Sequence, residues 1–290
     1  MKRSRLNYSA KPQMIKLWIR KHELIAFFIL AYSISWIIEI ALILSRLGAI
    51  AHVPLWFHYF TAYGPLLAAF VVQGATGGWR GITSLLSTMV KWNVGLRWII
   101  IGAFSPVALF AASALAVFLI SGQTLDVELL GRINFLPNLG LWAWLFWIFN
   151  SGIGEETGWR GFALPRLQRN RSALSASLIL GLLWACWHLP AFFYLPNYMK
   201  MGISFFPVFA LGVFSGAILF TWLFNSAKGS VFVAILWHGA FNFVTASKAG
   251  EGVAAIITSN LIMAWAILIV LICKPRNLSL SGKLEEQNEP

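Results

Sequence analysis

Eight apolar runs follow one another through this chain, at residues 24–44, 55–72, 98–120, 139–162, 173–194, 205–224, 231–246 and 253–273. A membrane-crossing helix needs about 20 mostly apolar residues. In hydrocarbon a backbone must satisfy its own hydrogen bonds, which restricts spanning structures to helices and closed barrels. Only 11% of the 290 residues are charged and mean hydropathy is +0.73, whereas a soluble domain carries about 25% charged residues. The fold class expected is all-α: a polytopic membrane protein with about eight transmembrane helices and one interfacial amphipathic helix.

The net charge of +12 does not point to nucleic acid, which needs a basic face on a soluble module. Instead the positive residues lie in the short segments between runs. With the N-terminus inside, 18 Lys and Arg fall on the inner segments and four (Arg46, Arg132, Lys200 and Lys248) on the outer ones. That bias follows the positive-inside rule and places both termini in the cytoplasm. Residues 1–23 then form a cytoplasmic tail, 24–273 the membrane-embedded unit and 274–290 a polar tail expected to be disordered. The first run has no small-residue cleavage site and is too long for a signal-peptide core, so it reads as a retained span.

Between the second and third runs, Ile82, Leu85, Leu86, Met89 and Val90 recur at helical spacing, flanked by Trp79, Trp92 and Trp98. Such a segment suits a helix lying in the membrane interface. Gly64-Pro65 is expected to kink the second run. His52 and His58 are expected at the outer boundary, and Glu39 to play a structural part. Cys186 and Cys273 lie in apolar runs and make neither a disulfide framework nor a metal-binding spacing.

The fourth run contains the most costly residues in the chain, Glu155 and Glu156, side by side. An acid at bilayer depth costs roughly 2.5–3.5 kcal/mol on insertion scales, so its retention points to function. Further polar groups stand in later runs: His188 in the fifth, and His238 and Asn242 in the seventh, four apart and so on one helix face. Glu155 lies 15 residues before a turn near Asn170 and His188 lies 18 after it. At ~1.5 Å per residue the two differ in depth by about 5 Å, so they can meet. Glu156 and Arg160 are four apart, in the orientation that favours an ion pair. That pairing leaves Glu155 facing a cavity, where a carboxylate suits general-base work. Gly154, Gly158 and Gly161 allow close helix approach or local unwinding around it.

Taken together, Glu155-Glu156-x-x-x-Arg160, the Trp184-x-x-x-His188 motif with its following Leu-Pro, and the His238-x-x-x-Asn242 pair resemble the CPBP family. These are the CAAX protease and bacteriocin-processing intramembrane endopeptidases, including the type II CAAX prenyl endopeptidases. The likeness runs over residues 55–243 and includes Tyr63-Gly64-Pro65. Trp184 stands where the family usually has Phe, a swap expected to keep an aromatic packing residue.

The resemblance implies peptide-bond hydrolysis of a membrane-bound protein or peptide in a bacterial plasma membrane. Glu155 and His188 would activate a water, His238 and Asn242 would stabilise the oxyanion, and Glu156 and Arg160 would support the site. It also leaves zinc open, because Glu155, His188 and His238 could supply a catalytic His₂Glu set; the sequence lacks the H-E-x-x-H helix of soluble zinc proteases. Two other readings are a catalytically silent member acting in bacteriocin immunity or as a membrane scaffold, and a proton-coupled transporter. No internal repeat supports the transporter, and the intact motif residues favour the enzyme.

Overall fold

The computed structural model describes residues 10–280; the end of the tail expected to be disordered lies outside them. Ten helices follow in order. They are α1 (Ala10–Lys21), α2 (Glu23–Arg46), α3 (Tyr63–Met89), α4 (Leu96–Ser121), α5 (residues 142–168), α6 (Ala173–Trp187), α7 (Pro196–Met201), α8 (Phe206–Ser226), α9 (Val231–Thr245) and α10 (Val253–Asn277). Short 3₁₀ turns, including Leu55–Ala62 before α3 and Leu189–Phe193 after α6, join them. No strand forms among the described residues, in keeping with an all-α polytopic membrane protein.

Among the described residues six helical segments are long and apolar enough to cross a membrane: Glu23–Arg46, Leu55–Met89, Leu96–Ser121, Ala173–Phe193, Ile203–Ser226 and Val253–Asn277. The fourth and seventh expected spans do not meet that standard. α9 has 15 residues, about 22 Å of helix against a hydrocarbon core of about 30 Å. α5 is interrupted by two π-helical stretches, Ile148–Ile153 and Trp159–Ala163, on either side of Gly154–Gly158. These two elements carry Glu155, Glu156, Arg160, His238 and Asn242, and the other helices pack around them. Val233, Ala234, Trp237, His238 and Ala240 of α9 are buried, as is nearly all of 154–164. By contrast α2, α4 and α10 turn Ile29, Ile37, Phe104, Leu119, Ile267 and Leu271 outward, as a lipid-facing ring requires.

Glycine lets the central helices approach. A Cβ on Gly154 would lie 2.6 Å from the Ala62 carbonyl oxygen, and one on Gly158 would lie 2.5 Å from Pro65 Cβ. Both contacts fall on the turn that leads into α3, so this turn fixes the height and rotation of the Glu155-Glu156 segment. At its C-terminal end α5 is tied down by Arg166, which donates to Glu23 Oε2 at 2.5 Å and to Gln73 Oε1 at 2.7 Å.

Two expectations are corrected. Gly64-Pro65 does not kink a span: it sits in the first turn of α3, where proline removes only a donor that lacks an intrahelical partner. The bend occurs at Gly78 (φ 59°, ψ −150°), and beyond it residues 79–89 form the helical segment read as amphipathic. Arg160, counted above with the cytoplasmic charges, is fully buried in the bundle. His58 Nδ1 lies 2.6 Å from the Tyr194 hydroxyl, which donates to the buried Glu39 at 3.2 Å.

Candidate active site

Glu156 forms the buried anchor. Its Oε1 accepts from Arg160 Nη1 at 3.0 Å, the ion pair expected from their spacing, and from His238 Nδ1 at 2.7 Å. Neither Glu156 nor Arg160 has any exposed side-chain surface. The guanidinium lies between two aromatic faces, 4.1 Å from the Phe220 ring centroid and 4.5 Å from that of Trp184. Desolvated cation–π contacts of this kind contribute about 2 kcal/mol. They serve an arginine whose Nε and Nη2 have no hydrogen-bond partner among the described residues.

Glu155, one residue on, points elsewhere and accepts a hydrogen bond from Trp184 Nε1 at 2.8 Å. His188 lies one turn beyond Trp184, with Nδ1 2.8 Å from the Trp184 carbonyl oxygen. A carbonyl only accepts, so Nδ1 carries the proton and Nε2 of the neutral ring has a free lone pair. His188 is within electrostatic reach of both Glu155 and His238. Trp187 and Phe209 hold its ring edge-on, at centroid distances of 4.8 and 5.4 Å.

His238 sits under Trp184 and Phe220, at 5.9 and 5.4 Å between ring centroids. Because its Nδ1–H is committed to Glu156, only the doubly protonated ring has a second donor, at Nε2. Asn242, one turn along α9, donates through Nδ2 to Ser151 Oγ at 2.9 Å. An amide has two N–H groups, so one stays available. Ser151 is in turn 3.5 Å from Asn150 Oδ1, and Asn150 donates to the Tyr59 carbonyl at 2.7 Å.

Residues from α5, α6 and α9 are thus brought to one buried centre. Sequence reasoning missed two of its parts. Ser151 stands four before Glu155 and could have been picked out by that spacing. Trp184, expected only to pack, donates to a carboxylate. Among the described residues no three His, Cys, Asp or Glu side chains are grouped to hold a metal ion. Glu155 accepts from Trp184 while His238 Nδ1 faces Glu156. A crevice of about 310 Å³ between the ends of α4 and α10 is lined by none of these residues.

Fold and site together define a class: a helical membrane protein with paired acids, imidazoles and an amide gathered inside the bundle. Residues 137–244 match the family described as Type II CAAX prenyl endopeptidase Rce1-like, the segment that spans α5 to α9. The chain is also 29% identical over 138 residues to CAAX prenyl protease 2 of Methanococcus maripaludis. That match covers 45% of this chain and about half, 49%, of the relative. The resemblance read from the motifs therefore holds over the segment that carries them, and it supports a CAAX-type intramembrane protease in general.

Proposed function

We propose that this chain is an intramembrane endopeptidase that hydrolyses a peptide bond in a membrane-associated protein or peptide, of the prenylated CAAX kind that the relative's name indicates. The observation that carries the reading is the meeting of Glu155, His188 and His238 around Trp184. Glu155 removes a proton from a water molecule as the water oxygen adds to the scissile carbonyl carbon. The Nε2 lone pair of His188 accepts the second hydrogen bond that orients this water. The carbonyl π electrons move to oxygen, and the resulting oxyanion takes hydrogen bonds from His238 Nε2–H and the free Asn242 N–H. Collapse re-forms the carbonyl and breaks the C–N bond, and the proton on Glu155 passes to the leaving nitrogen. Glu156 takes the His238 Nδ1 side of the ring and so turns Nε2 toward the oxyanion, and Arg160 holds Glu156 in place.

The protein lies in a plasma membrane with both termini cytoplasmic, on the charge bias read above. The test is cleavage of a peptide library by purified protein in detergent. Glu155→Ala and His188→Ala are each expected to lose activity by about 100-fold or more. Unchanged cleavage in both would overturn the residue assignment. Metal analysis of the active sample decides on zinc: stoichiometric metal lost in His238→Ala would replace this mechanism with a metal-assisted one.

A further inference from the structure

The backbone and side chain of Trp184 touch both reacting groups. Its carbonyl receives His188 Nδ1 at 2.8 Å, and its indole Nε1 donates to Glu155 Oε2 at the same distance. Trp36 and Trp237 donate to neutral oxygens, the Trp187 carbonyl and Ser105 Oγ, whereas the buried indole nitrogens of Trp144, Trp147, Trp159 and Trp187 have no partner among the described residues. Among the described residues the Trp184 indole makes the only hydrogen bond to Glu155, whose Oε1 receives none.

We propose that Trp184 is a positioning residue for Glu155: its indole N–H pins Oε2, which presents Oε1 to the water. The inference rests on the general-base reading of Glu155. A carboxylate is free to rotate about its terminal bond, so an unheld Glu155 would spend only part of its time with an oxygen aimed at the water. A hydrogen bond to a charged acceptor is among the stronger ones, because low local dielectric strengthens it. A phenylalanine at this position would keep the ring beneath Arg160 and lose the donor.

Two measurements test the proposal. In protein carrying ¹⁵N-labelled indoles, the Trp184 peak is identified by its loss in Trp184→Phe. That peak is expected to shift in Glu155→Gln, which preserves shape and removes the charge, while the other indole peaks stay in place. In the peptide assay Trp184→Phe is expected to lower kcat about 10- to 100-fold with KM within about twofold, the pattern of an interaction used in the transition state. A Trp184 peak that does not respond to Glu155→Gln, or a Trp184→Phe enzyme with full kcat, would overturn the proposal. Full activity in Glu155→Ala would instead overturn the base reading, with the indole shift still reporting the hydrogen bond.

Discussion

His238 Nδ1 lies 2.7 Å from Glu156 Oε1, and this single contact joins α9 to α5 at a carboxylate already paired with Arg160. The arrangement separates the roles of the two adjacent acids: Glu156 is enclosed and charge-balanced, and Glu155 is turned toward His188. Glu156→Gln keeps an acceptor for His238 Nδ1 and Arg160 Nη1 and removes the negative charge between them. It is expected to leave the fold intact and lower kcat about 10- to 100-fold, since a hydrogen bond to a charged group contributes about 1.5–3 kcal/mol. Glu156→Ala leaves Arg160 buried and unpaired, which destabilises by about 3–5 kcal/mol. Thermal unfolding in detergent beside the peptide assay separates the two effects; equal melting temperatures for both variants would contradict the pairing.

Gly158 and Gly161 look alike in sequence and differ in what they face. A Cβ on Gly158 meets Pro65 backbone at 2.6 Å, whereas one on Gly161 meets the movable Leu85 Cδ1 at 2.9 Å. Overpacking a core costs about 1–3 kcal/mol. Gly158→Ala is expected at or beyond the upper end, with activity lost because the Glu155 segment is pushed off the α3 turn. Gly161→Ala is expected at the lower end, with activity retained. The reverse order of melting temperatures would show that the α3 turn does not set the height of the site.

Which of these features could be read in advance follows from their range. The i,i+4 ion pair of Glu156 with Arg160 and the shared face of His238 and Asn242 are local, set by helical periodicity alone. The approach of α6 to α5 was legible because a short hairpin fixes depth by residue count. The π-helical stretches around Glu155 were not. The glycines of α5 announced close approach or local unwinding there, but neither the π-helical form nor the partners, Ala62 and Pro65, against which Gly154 and Gly158 pack. Eight equal spans were also too simple. A helix enclosed by others need not match the bilayer thickness, so α9 can be short and still carry His238 and Asn242. The Trp184 donor was hidden because a tryptophan in an apolar run looks the same whether its indole N–H is used or not.

Asn242 is held by a hydroxyl, and this dependence can be measured. Ser151→Ala removes the acceptor of one Asn242 N–H and should let the amide rotate. A neutral hydrogen bond contributes about 1 kcal/mol, so kcat is expected to fall roughly fivefold with KM unchanged. Asn242→Ala should fall further, and Asn242→Asp further still, because a carboxylate would face the developing oxyanion. Equal activity for Asn242→Asp and wild type would remove Asn242 from the oxyanion role.

The charge bias predicts orientation. Setting aside the buried Arg160, the inner segments still hold 17 Lys and Arg against four on the outer ones. A reporter fused after Pro290 is expected to be active only in its cytoplasm-sensitive form. Activity of a periplasm-sensitive reporter at that point would reverse the topology.

The chain from His58 through Tyr194 to Glu39 is directional. The hydroxyl of Tyr194 donates to Glu39 Oε1 at 3.2 Å, so it accepts from His58 Nδ1–H at 2.6 Å. The chain joins α2, the turn before α3 and the segment after α6, and it keeps an acid that is 2% exposed from lying unpaired. Tyr194→Phe leaves both neighbours without a partner, at a cost of about 1–3 kcal/mol for each buried group stranded. It is expected to lower the melting temperature clearly while kcat per folded molecule changes little. None of the three residues contacts Glu155 or Asn242 by hydrogen bond. A large loss of kcat in a Tyr194→Phe protein that melts like wild type would place this chain within the catalytic machinery, through the electrostatic link between His58 and His188.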